Sequence, residues 1–172
     1  YPLRRQRQMC IRDSYRALNP LYAREPLSGR GAELYGGRFN PKGMPALYTS
    51  LTIMTALREA NQAGSLQPTT LVSYDADFEP LFDTRDPNLL EKHQITLQSL
   101  SNTTWRDEMN MHGEALSQQL DLDLKQAGFH GLVVRSFAPG TFDADLNIVL
   151  WTWGTSIPNR LSLIDDERRL SR

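Results

Sequence analysis

Cysteine, histidine and long apolar runs are all scarce in this chain of 172 residues, and each scarcity removes a class of function. One cysteine, Cys10, cannot close an internal disulfide, and three scattered histidines, His93, His112 and His130, give no zinc-ligand spacing. The expectation is a reducing, cytoplasmic setting with no structural metal and no prosthetic group. No apolar stretch nears the roughly 20 residues that span a bilayer, so no membrane association is expected. The glycines form neither a Gly-x-Gly-x-x-Gly nor a Walker A pattern, which removes two common phosphate cradles. Charge of one sign is also lacking, with a net value of −1. Arg4, Arg5, Arg7 and Arg12 against Asp13 concentrate +3 in the first 13 residues, and setting that aside leaves −4 for the rest. A direct nucleic-acid footprint therefore has no support. Residues 1–13 show no hydrophobic periodicity and read as an appended or disordered segment.

What remains has the make-up of one globular domain, 40% hydrophobic and 23% charged, long enough to bury about two-thirds of its unfolded surface. Its boundaries are placed at 14–154, with 155–172 a polar tail that frays. Ser14–Leu18 reads as a strand ended by Asn19-Pro20, and a long loop rich in Gly, Pro and Arg runs to Gly43. Loops of that length are usually functional or disordered, and this one holds the densest polar motif, so it is expected to face a ligand. Ala46–Thr49 is a short strand. Ser50 is placed to cap a helix over Leu51–Ala63, with Ile53, Ala56, Leu57 and Ala60 as its apolar face. Thr69–Phe78 alternates as a strand, helices follow over Leu89–Leu100 and Gly113–Ala127, and His130–Arg135 and Leu146–Thr152 are the closing strands. Trp151 and Trp153 share one face of the last strand by alternation, as core or as an interface patch. This order of elements predicts an α/β, α+β mixed domain.

The residues that carry chemistry cluster early. Gly36-Gly37-Arg38-Phe39-Asn40 is followed by Tyr48 and then by Glu59. Glycines let backbone approach a ligand closely, arginine offers a planar fork for phosphate or carboxylate, and tyrosine offers a flat face for a ring. Glutamate can stabilise a developing positive charge. With Tyr15-Arg16 before them and Arg135-Ser136 and Leu146-Asn147-Ile148-Val149-Leu150 after, these blocks resemble the RES domain family, the NAD-consuming toxins of RES–Xre toxin–antitoxin pairs. The resemblance spans roughly Tyr15 to Trp153; Phe39 stands where tryptophan is commoner.

That resemblance implies a fold similar to the ADP-ribosyltransferases, small mixed sheets with peripheral helices, and an Arg-Tyr-Glu constellation at Arg38, Tyr48 and Glu59. It also implies NAD as substrate, an Xre-like antitoxin as partner, and substrate contacts from Arg16, Asn40, Ser136 and Asn147; a homodimer stays open. Cleaving the nicotinamide–ribose bond passes through an oxocarbenium-like state of the kind carboxylates stabilise in glycoside hydrolysis, the role expected of Glu59. Tyr48 would stack on nicotinamide, while Arg38 and Arg16 would hold phosphate bidentately. Each residue also has a plainer reading: Glu59 as a solvated helix residue, Tyr48 as core, the arginines as structural ion pairs, Asn40 as a loop brace, Ser136 and Asn147 as partners of buried backbone. With water or phosphate as acceptor the protein depletes NAD. The alternatives are a mono-ADP-ribosyltransferase acting on a protein and a catalytically silent nucleotide-binding module.

Overall fold

The computed structural model describes residues 13–62 and 64–170. Cys10 and all of the expected appended segment except Asp13 lie outside them. Seven strands are present among the described residues: β1 (Ser14–Leu18), β2 (Leu47–Ser50), β3 (Thr70–Phe78), β4 (Leu81–Asp83), β5 (Gly131–Arg135), β6 (Leu146–Leu150) and β7 (Asn159–Leu163). They join in the order β4-β5-β6-β2-β1-β3-β7, antiparallel except for the β4–β5 pair. The mixed α/β domain is as expected, but one sheet takes the place of several small ones. The reason lies in β1, which pairs with β2 on one side and with β3 on the other and so joins two groups of strands.

Alternation along the strands sends side chains to two faces, each with its own core. Leu132 and Val134 of β5 and Val149 of β6 face one cluster, while Val133, Leu146, Ile148 and Leu150 face the other. The first is covered by helices α3 (Pro87–Lys92), α4 (Leu97–Leu100) and α6 (Leu116–Gln126), through Leu90, Leu100, Leu120 and Leu124. The second draws its buried members from strands alone, including Leu18, Leu47, Tyr74, Phe78 and Leu161, so the twisted sheet curls around its own side chains.

Several boundaries differ from the sequence reading. The expected fraying tail contains β7, which pairs with β3 over five residues and buries Leu161; its polar character is that of an edge strand with one wet face. The helix expected over 89–100 is two short ones, parted at Gln94 (φ 58°) and restarted by a capping box at Thr96. Gly113, at φ 84°, ends α5 (Trp105–His112) instead of opening α6. Helix α1 (Arg30–Tyr35) interrupts the long early loop, and β4 also went unforeseen. Strand β6 stops at Leu150, short of the expected Thr152, so the two tryptophans part company. Trp151 is buried in the helix-covered core and donates from Nε1 to the Phe39 carbonyl at 2.9 Å, whereas Trp153 packs toward the strand-built core.

Helix α6 carries polar groups on its buried face. Ser117 Oγ donates to the Arg38 carbonyl (2.6 Å) and Gln118 Nε2 to the Gly37 carbonyl (2.8 Å), pinning the Gly36–Asn40 segment to the helix. One turn on, Asp121 is fully buried and neither carboxylate oxygen has a hydrogen-bond partner. Burial pushes its pKa well above the ordinary 3.8. The folded protein thus holds this proton to higher pH than the unfolded chain does. The unfolded state binds fewer protons in that window, so stability falls as pH rises above the ordinary carboxylate range. Asp121→Asn keeps the shape without the charge. The expected result is a melting temperature about 2 °C or more above the parent at pH 8, with the gap closing toward pH 4; an equal gap, or none, at both pH values would contradict the assignment.

Candidate active site

Glu59 lies on α2 (Ile53–Ala60), a helix capped by Thr52, whose hydroxyl accepts from the Thr55 amide at 3.1 Å. Ser50, expected as the cap, is instead the last residue of β2. It pairs with Asn147 in the sheet and donates from Oγ to Asn147 Oδ1 at 2.6 Å. The apolar face of α2 also differs from expectation: Ala56 and Thr55 are buried while Ile53 is 46% exposed, because the helix flanks a cleft and spends Thr55 on a hydrogen bond to Asp145 (2.8 Å). Hydrogen bonds from Thr55 and from the Phe142 amide hold the Asp145 carboxyl below its usual range, the latter contributing most. Asp145 thereby fastens α2 to the connection between β5 and β6.

That connection, β6 and the residues after α2 supply the partners of Glu59. Ser136, just past β5, donates to Glu59 Oε1, and Asn147 Nδ2 donates to the same oxygen at 2.5 Å. Gln62 Nε2 reaches Oε2 at 2.5 Å. Three donors from three parts of the chain fix the carboxylate on the wall of a cleft of about 280 Å³, shared with Arg16, Tyr48, Ser50, Asn147 and Tyr15.

Tyr48 stands on β2, its ring on the cleft wall and its hydroxyl turned into the protein. The hydroxyl donates to Asn40 Oδ1 (2.7 Å) and accepts from the Phe39 amide (3.1 Å). Asn40 is fully buried, and its amide donates to the carbonyls of Ala32 (2.8 Å) and Met44 (2.9 Å). Its side chain therefore braces the loop behind the wall and is not presented to the cleft. Gly37 is required here by space: a Cβ would collide with the Tyr48 hydroxyl and stand 2.6 Å from Asn40 Oδ1. Burial, reinforced by the nearby Asp121, pushes the Tyr48 phenol above its usual pKa, so it acts as a neutral donor.

The two arginines approach from different sides. Arg16 lines the cleft from β1, and its Nη1 is tied to the carbonyls of Pro26 (3.2 Å) and Ser28 (3.4 Å). Arg38 donates from Nη1 to the carbonyls of Leu100 (3.0 Å) and Asn102 (2.7 Å), and its guanidinium lies 4.9 Å from the Phe137 ring centroid. Burial lowers its pKa, and the charge of Glu59 is the chief opposing influence, although Arg38 itself does not line the cleft. Neither arginine forms an ion pair among the described residues. The structure thus gathers Arg16, Tyr48, Glu59 and Asn147 around one cleft, with Ser136 behind Glu59 and Asn40 behind Tyr48, while Arg38 lies outside its lining. The sequence reading did not anticipate the bonds that support the site: Ser50 to Asn147, Gln62 to Glu59, Thr55 to Asp145 and Gln118 to the Gly37 carbonyl. Gln62 lay three residues past Glu59 on the same helical stripe; the others are distant in sequence and gave no local signal.

Comparison with known proteins follows from this geometry. No curated protein matches the chain in sequence. Among solved structures, a chain of the M. tuberculosis MbcT–MbcA toxin–antitoxin complex is similar in fold, with a TM-score of 0.61 and 21% identity, over 89% of this chain and 81% of that one. The RES domain family model matches residues 13–170, almost the full length, and the chain belongs to the RES domain family.

Proposed function

We propose that this protein binds NAD in the cleft and breaks its nicotinamide–ribose bond, with water or phosphate as acceptor, acting in the cytoplasm as the toxin of an antitoxin-controlled pair. The observation that carries this reading is the Glu59 carboxylate, held by Ser136, Asn147 and Gln62 at a cleft whose wall also presents the ring of Tyr48. In the reaction the C1′–nitrogen bond breaks and its electron pair passes to the pyridinium, leaving neutral nicotinamide. Positive charge develops on the ribose, where a preoriented carboxylate is most effective. The acceptor oxygen then bonds to C1′ and releases its proton to solvent. Tyr48 offers its face to the departing ring, and Arg16 supplies a fixed cation for the anionic part of the substrate. The toxin role draws support from the family and from a fold shared with a chain of a toxin–antitoxin complex. An Xre-like antitoxin would close the cleft, and any contact with DNA would then run through that partner.

Glu59→Gln tests the reading because it is nearly isosteric: the amide oxygen still accepts from Ser136 and Asn147, and the charge is gone. Nicotinamide release is expected to fall roughly 100-fold or more while the protein stays folded. Release within threefold of the parent would remove Glu59 from the chemistry.

Tyr48 separates ring from hydroxyl. Tyr48→Phe keeps the ring and loses the bonds to Asn40 and the Phe39 amide, which should lower stability by roughly 1–3 kcal/mol while retaining most turnover per folded molecule. Tyr48→Ala should lose both. Calorimetric melting alongside nicotinamide release checks this, and equal turnover loss in the two variants would assign the role to the hydroxyl.

A further inference from the structure

The cleft beside Glu59 lies near the lower limit of small-molecule sites, about 300–1,000 Å³, so it suits one end of a dinucleotide better than the whole. This inference rests on the NAD reading and concerns where the rest of the substrate lies. Within reach of the Glu59 charge, which acts on Arg38, two cations meet at one indole. Arg38 sits 5.9 Å from the Trp105 ring centroid and Arg106 sits 4.9 Å from it. The positive charge of Arg106 acts on Arg38, so the two repel at close quarters. Arg106 has no hydrogen bond or ion pair among the described residues: Asp107 does not pair with it, and Glu108 is taken by Asn102 (2.7 Å) and Thr104 (3.1 Å). Arg38 uses only Nη1 for its two carbonyl partners, which leaves Nε and Nη2 without a protein acceptor.

The charge of Glu59 offsets that of Arg38 in part, and two guanidinium forks with spare donors still match a group carrying two negative charges. Trp105 adds an apolar face that keeps both forks in place through cation–π attraction. We propose that Arg38, Trp105 and Arg106 form a subsite for the diphosphate of a dinucleotide, continuous with the cleft that holds its nicotinamide end. Arg106 is then a binding residue for the reaction, supplied by helix α5.

Isothermal titration of the Glu59→Gln protein with NAD, ADP and adenosine, with and without Arg106→Gln, tests the subsite. Arg106 is exposed, so the substitution should leave the fold intact. The expected result is a loss of roughly tenfold or more in affinity for NAD and for ADP, with adenosine unaffected. Arg106→Lys should recover part of that loss, and the salt dependence of ADP binding should weaken in Arg106→Gln. Unchanged NAD and ADP affinity would overturn the subsite while leaving the NAD reading in place. ADP binding that depends on Arg106, without binding of NAD, would support the subsite and overturn the NAD reading. Absence of binding by both ligands before Arg106 is changed would overturn the two together.

Discussion

The hydrogen bonds that Ser136 and Asn147 give to one oxygen of Glu59 hold the site together, because they join a helix at the margin of the sheet to β6 and to the residue that follows β5. Asn147 is itself oriented by Ser50, its register partner across the β2–β6 pair, so the position of the carboxylate is set by strand pairing. Thr55 and Asp145 repeat the connection one turn away. In the proposed reaction the carboxylate meets transient positive charge and must not have to reorganise when that charge appears; these contacts would fix it beforehand.

The Tyr48 side of the cleft depends on a second polar lattice. Tyr48, Asn40, Gln118 and the carbonyls of the Gly36–Asn40 segment satisfy one another inside the protein, which leaves the tyrosine ring facing outward on a rigid mount. The lattice has a defect in Asp121, whose buried carboxyl lacks a partner on the same helix face that clamps the loop. A polar network that is mostly satisfied specifies one arrangement, and its unsatisfied member lowers stability as pH rises. Arg38 shares this compromise, being partly buried near another cation while two of its nitrogens lack protein acceptors.

Much of this was legible in the sequence. Alternation over Thr69–Phe78 and the apolar run at Leu146–Thr152 identified strands, which form over Thr70–Phe78 and Leu146–Leu150, and of the spaced residues Arg38, Tyr48 and Glu59 the last two line one cleft. Short polar elements escaped for physical reasons. Helix α5 is mostly charged and polar on its surface and begins without a side-chain cap, and β7 is an edge strand with a single fully buried leucine. Local pattern carries little information where burial is slight. The partners of Glu59 escaped because Ser136 and Asn147 lie 77 and 88 residues away, and only the sheet register makes them neighbours.

The central claim is that this cleft cleaves NAD at the nicotinamide–ribose bond. Mass analysis of NAD incubated with the unaltered protein, in phosphate-free buffer and with added phosphate, tests it most directly. Free nicotinamide should appear together with ADP-ribose when water is the acceptor, or with its phosphorylated counterpart when phosphate is. Intact NAD under both conditions, in the presence of folded protein free of any partner, would contradict the account.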